Sequence, residues 1–265
     1  MYGEIWEKWV AQNGNYGYPI TDETAGDPSN PNLIRFNIFT QNGAIYWTSE
    51  YGAHLIYGDI YGRWQSIGGV NSALGVPITD ETGEGSLGGR YNDFANGMIY
   101  WTPNGRSYVV EGALPTQISW TWNPINIGEV TGSTTVSLHN NGNAYWTSNI
   151  HDNTAWNGYW WGETWVVCNA DGTTVTLAQS GFVGPNFSGY PFGSANDNNI
   201  NTAVFAGDIL INNWRAWVAF NWFQPWIWLN DQNDWELDGD GSGTVWEALQ
   251  VDVAPLELQQ PTQIM

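Results

Sequence analysis

Tyr18 to Thr24 reads YPITDET, and Val76 to Thr82 reads VPITDET. The similarity runs on to either side. YGEIWEKW (Tyr2–Trp9) returns as YGDIYGRW (Tyr57–Trp64), and GAIYWT (Gly43–Thr48) returns as GMIYWT (Gly97–Thr102). Several separated motifs recurring in one order mark an internal repeat, one supersecondary unit used twice with its length differences taken up in loops. Residues 1 to about 112 therefore read as a two-unit array.

Within each unit the apolar residues first follow a helical period: Ile5, Trp6, Trp9 and Val10, then Ile60, Tyr61, Trp64 and Ile67 ahead of Gly68. The PITDET loop follows. After it come two short strand-like runs, LIRFNIF turning through TQNG into AIYWT, and RYNDF turning through ANG into MIYWT. Asn-Gly between apolar strands is a strong hairpin signal, because both turn positions tolerate positive φ. Each unit is expected to be helix, acidic loop, hairpin.

The residues YGYPITDE and LGVPITDE, with a following G-x-IYWT and an upstream I-x-x-x-W, resemble LGFP repeats over roughly residues 2 to 112. The resemblance implies an envelope protein held to cell-wall polysaccharide, and binding rather than catalysis. Two departures stand out. Tyr16 replaces the usual Leu, and NGRSYVVEG (Asn104–Gly112) replaces the YGAHLIYG (Tyr51–Gly58) ending, so a site that needs this ending survives only in the first unit, with His54.

The repeated loop supports two readings. In one, Pro19 and Pro77 fix φ, Asp22 and Asp80 act as turn formers, and the loop locks helix to hairpin. In the other, Asp22 with Glu23 and Asp80 with Glu81 accept sugar hydroxyls beside Trp47 and Trp101, and duplication supplies two weak sites that gain by avidity.

From GALPTQISWTW onward the repeat is gone, and Pro115 suggests a boundary between an array at 1–114 and a second domain at 115–265. That second stretch alternates apolar runs with turn signals such as NNGN and ADGT, the pattern of an all-β antiparallel sandwich. In YWWGETWVV the period of two puts Trp161, Glu163, Trp165 and Val167 on one face and Trp160, Thr164 and Val166 on the other. Read as a strand, WRAWVAFNW sets Arg215 beside Trp217. The quartet Trp161, Glu163, Arg215 and Trp217 is thus an expected ligand site in which indoles grip a sugar and charges orient its hydroxyls. In NDWELDGDGSGT, Asp234, Glu236, Asp238, Asp240 and Ser242 alternate with glycines nearby. Such hard oxygens suit Ca²⁺, although the run is not a full EF-hand and the plainer reading is a solvated acidic hairpin loop.

Composition narrows the function classes. Lys and Arg total 6 against 26 Asp and Glu, a formal charge of -20, which repels nucleic acid and anionic lipid. The imbalance comes from missing basic residues, since charged residues are only 12% of the chain. No apolar run is long enough to insert in a membrane. Nineteen Trp and thirteen Tyr exceed what a core needs, and outward indoles beside Asn, Asp and Gln suit sugar faces. Cys168 is the only cysteine, so no disulfide forms within the chain. No GxSxG elbow or zinc spacing is present. A glycosidase needs only two placed carboxylates, for which Glu163 with Asp152 or Asp208 are the candidates. The expectation is a non-catalytic polysaccharide- or glycan-binding protein, extracellular or on the cell surface; MYGEIWEKW has no signal-peptide pattern, which fits either a trimmed signal or a cytoplasmic protein. The alternatives are a glycoside hydrolase with a repeat anchor, and an assembly protein forming a homo-oligomer through outward aromatics.

Overall fold

The computed structural model describes residues 3–13, 15–26, 33–85, 87–153, 158–184 and 197–231. They are mostly antiparallel sheet with few helices. They divide into two compact units. The first comprises residues 1–115 with 169–172 and 212–221, and the second comprises 116–168, 173–211 and the chain from 222 onward.

The first unit begins with α1 (Gly3–Ala11), followed by an antiparallel sheet in chain order, β1 (Thr24–Ala25), β2 (Ile34–Phe39), β3 (Gly43–Thr48) and β4 (Gly52–Tyr57). The pattern repeats as α2 (Gly58–Ser66), β5 (Thr82–Glu84), β6 (Gly89–Phe94), β7 (Gly97–Trp101) and β8 (Ser107–Glu111). The expected hairpin is thus the centre of a four-stranded sheet. GAHLIY and SYVVE, which share little sequence, form the same outer strand, because β4 and β8 need only an apolar alternation to pair with β3 and β7.

The period of two explains why AIYWT and MIYWT are apolar on both faces. Ile45 and Trp47 of β3 pack with Ile5 and Trp9 of α1, whereas Ala44 and Tyr46 pack with Ile60, Tyr61 and Trp64 of α2. On β7, Ile99 and Trp101 turn toward α2, and Met98 and Tyr100 turn the other way. What covers Met98 and Tyr100 comes from far along the chain: Ala216, Val218 and Ala219 of a short helix, Trp214–Ala219, with Phe220 and Ala170. Helix and sheet therefore alternate, and each sheet lies between two helices.

WRAWVA was expected to be strand. It is helical, with its first turn held by the second repeat. The Glu84 carboxylate accepts the Arg215 N–H at 3.3 Å and the Ala216 N–H at 3.1 Å, and the Arg215 guanidinium donates to Asp93 at 2.7 and 3.2 Å. The Ala216 carbonyl accepts the Ala170 N–H, and Tyr100 donates its hydroxyl to Asp171 at 2.6 Å. Ala170 and Asp171 thus belong to the first unit.

Burial, with the nearby Asp171, pushes the Glu84 carboxyl up to about 7 against the pull of the Arg215 and Ala216 N–H groups and the Arg215 charge. The folded state then holds a proton that the unfolded chain releases near pH 4.3. Stability should fall as pH rises from about 4.3 to 7, by on the order of 2 kcal/mol, and level off above. Melting curves across that window should show this slope flattened in Glu84→Gln; equal slopes in the two proteins would mean that Glu84 is ionised throughout.

The second unit contains β9 (Gln117–Ile127), β10 (Val130–His139), β11 (Asn143–Asp152), β12 (Tyr159–Asn169), β13 (Thr174–Val183), β14 (Asp197–Phe205), the short helix α3 (Asp208–Ile211) and β15 (Asn221–Asp231). The Trp214–Ala219 helix, between α3 and β15 in the chain, is α4. One sheet has the order β14-β11-β10-β9 and the other β13-β12-β15. Trp161 and Val183 from the second sheet share one buried cluster with Ile125, Ile127, Val130 and Ile150 from the first. Among the described residues no helix is long and apolar enough to cross a membrane.

Candidate functional site

The loop residues do the same work in both repeats. Pro19 bridges to Phe39 as Pro77 does to Phe94. Thr21 and Thr79 accept the N–H groups of Ile38 and Asp93 through their hydroxyls, while their carbonyls accept the side-chain amides of Asn37 and Asn92 at 2.8 Å. Both asparagines are wholly buried in mid-strand, where an unpaired amide is costly. Thr24 and Thr82 close the turn by donating to the Asp22 and Asp80 carbonyls. Glu23 pairs with Arg35 at 2.8 Å, and Glu81 pairs with Arg90, which stands at the corresponding strand position.

The two aspartates differ. The Asp80 carboxylate accepts Lys8 of α1 at 2.8 Å and the Leu55 N–H of β4 at 2.9 Å, with His54 Nδ1 at 3.7 Å. Burial opposes its ionisation, but the bonds from His54, Lys8 and Leu55 outweigh burial and hold the carboxyl well below the usual range. Asp80 thus ties the second loop to the first repeat, while Asp22 is exposed. His54, whose Nε2 lies 2.7 Å from the Tyr51 carbonyl, belongs to the same joint.

Neither aspartate lines the cavity that the repeats share. Gly3, Glu4, Ile5, Glu23, Arg35 and Trp47 line a pocket of about 270 Å³ in the first. Gly58, Asp59, Ile60, Glu81, Arg90 and Trp101, together with Tyr57, line one of about 410 Å³ in the second. All six shared positions correspond. Each pocket has a half-buried indole as a wall, a Glu–Arg pair deep on one side, and an acidic residue in the first helical turn, where the helix dipole favours it. In the second pocket the Trp101 Nε1 donates to Asp59 at 2.9 Å and Arg90 donates to the Tyr57 hydroxyl at 2.6 Å. Burial raises the Glu81 carboxyl, opposed by Arg90.

Trp47, Trp101, Glu23 and Glu81 are therefore brought to one kind of site. Glu4, Asp59, Arg35 and Arg90 complete it, and sequence reasoning passed over them. Their signal was available, since IRFN and GRYN place two of only six basic residues at one repeat position.

The C-terminal quartet is not assembled. Trp161 and Glu163 of β12 lie sealed in the second unit at 0% and 1% exposure, whereas Arg215 and Trp217 are on α4 in the first. The strand reading of WRAWVA that joined them fails because those residues form a helix. The Arg215 guanidinium instead lies 4.0 Å over the Tyr91 ring and pairs with Asp93. Burial also keeps Glu163 and Asp152 from any glycosidic bond. Asp234, Glu236, Asp238, Asp240 and Ser242 lie outside the described residues, among which no cluster of three metal-ligating side chains occurs.

Comparison with known proteins agrees with the repeat. A family model described as LGFP repeat matches residues 17–72 and 74–120. No curated protein gave a match. The matched span runs from the acidic loop through the sheet to the helix after it, so α2 completes the first repeat while α4 stands where the second repeat's own helix would be. The chain thus carries two LGFP repeats, at residues 17–72 and 74–120.

Proposed function

We propose that the two corresponding pockets are subsites for a neutral polysaccharide and that the protein is a non-catalytic, lectin-like carbohydrate binder of the cell surface or extracellular space. The observation that carries this reading is the recurrence of one lining at six shared positions. A repeat kept only for its fold has no need to duplicate a Trp-walled depression with polar groups on its rim. Two carboxylates to one guanidinium make each pocket a poor host for an anionic polymer. The second unit, read as a β-sandwich, follows the pair, and a polymer spanning both pockets gains by effective concentration.

The test is co-sedimentation with insoluble polysaccharides such as xylan, arabinogalactan and cellulose. Trp47→Ala and Trp101→Ala should each weaken binding by about 2 kcal/mol, and the double variant should abolish it. Circular dichroism must show an intact fold. Binding unaffected in the folded double variant removes the pockets from the account.

A further inference from the structure

Each sheet of the array lies between two helices, but the helices are not equally covered. On α2, Tyr61 is 8% exposed and Trp64 is wholly buried; Trp64 meets Tyr46 of the first sheet edge-on at 4.8 Å and Phe94 of the second at 5.7 Å. On α1, Ile5 is buried and Trp9 half-buried against the first sheet, yet Trp6, which corresponds to Tyr61, is 46% exposed, and Val10 beside it is 47% exposed. Asp22 is likewise exposed where Asp80 binds Lys8 and the Leu55 N–H of the repeat before it. Helix face and loop carboxylate are open on α1's side of the array, and both are used on α2.

From this correspondence we infer that Trp6, Val10 and Asp22 form a docking face for the four-stranded sheet of a further LGFP repeat. The occupant's chemistry is that of the partner α2 already has: an apolar sheet face like that of Ala44, Tyr46 and Ile56, a helical lysine placed like Lys8, and a strand N–H placed like that of Leu55. Among the described residues no such repeat sheet face is left open, since α2 covers the first and α4 covers the second. The docking face therefore accepts a repeat from outside these two, extending the array by one layer.

The probe is the full chain with a second copy of residues 3–57 inserted ahead of Gly3. The junction follows the native one, because Gly3 and Gly58 both sit at φ +58, a region that favours glycine. In the extended protein, hydroxyl-radical oxidation of the original Trp6 should drop to the rate of Tyr61, and Asp22→Ala should lower the melting temperature while leaving that of the unextended chain unchanged. A folded extended chain in which Trp6 oxidises as fast as in the parent overturns the inference. A second comparison needs only the parent: Tyr61→Ser should lower its melting temperature by at least about 6 °C, and Trp6→Ser by no more than about 2 °C. Equal losses would make Trp6 a core residue and also overturn it. Neither readout depends on sugar, so a failed polysaccharide assay leaves this face standing.

Discussion

Trp64→Ala is expected to cost about 3–5 kcal/mol, the range for emptying a fully buried aromatic site. The residue is wholly buried, its ring touches aromatic partners on both sheets, and its Nε1 donates to the Gly75 carbonyl at 3.1 Å. One truncation therefore opens a cavity against two repeats at once. Trp9 makes the same bond, to the Gly17 carbonyl at 2.9 Å, but is half-buried and packs on one sheet only. Trp9→Ala should cost less than half as much. Urea denaturation compares the two, and near-equal midpoints would show that the layer between the sheets contributes nothing special. Asp80→Ala should weaken the same joint, and that contribution should fade as pH drops below the unfolded carboxyl value of about 3.9.

The other large effect lies in the second unit. Glu163 Oε1 accepts bonds from Thr134 at 3.0 Å, Gln179 at 2.6 Å and Ser148, and Trp146 donates to Thr134 at 2.9 Å. Oε2 is buried without a hydrogen-bond partner among the described residues. Burial raises the carboxyl against these bonds, which is the expected outcome for a carboxylate enclosed between two sheets. Glu163→Ala leaves buried hydroxyls and an amide unmet and should cost about 3 kcal/mol. Glu163→Gln keeps the shape and removes the charge, so it should cost under about 1 kcal/mol and should lessen the fall in stability as pH rises through the carboxyl's titration. Calorimetric melting of the three proteins at several pH values decides the matter. Equal losses in both variants would mean that the network requires the carboxylate.

Glu163 also shows why the C-terminal site was misread. Its alternation with Trp161, Trp165 and Val167 was legible, and all four are indeed on one buried face. Period two assigns residues to a face and says nothing of which face meets water. Carboxylate and indoles together read as a binding surface, whereas the hydroxyls and amide that make their burial tolerable come from Thr134, Ser148 and Gln179 on three other strands. Likewise WRAWVA is too short for periodicity to separate helix from strand. Its helix depends on Glu84, more than a hundred residues earlier in the chain.

The sequence by itself determined the two repeats, the helix before each sheet, the Asn-Gly hairpins and the corresponding places of Trp47 and Trp101. These are local patterns, and duplication made each pattern its own control. Tertiary structure alone decided the rest. It gave Asp80 a partner and left Asp22 exposed, it covered Met98 and Tyr100 with α4, and it joined Glu4 with Arg35 and Asp59 with Arg90 around one kind of pocket. Identical PITDET hexapeptides acquire different roles because Asp80 packs against the repeat before it while Asp22 is exposed, and packing between distant segments leaves no period in the chain to be read.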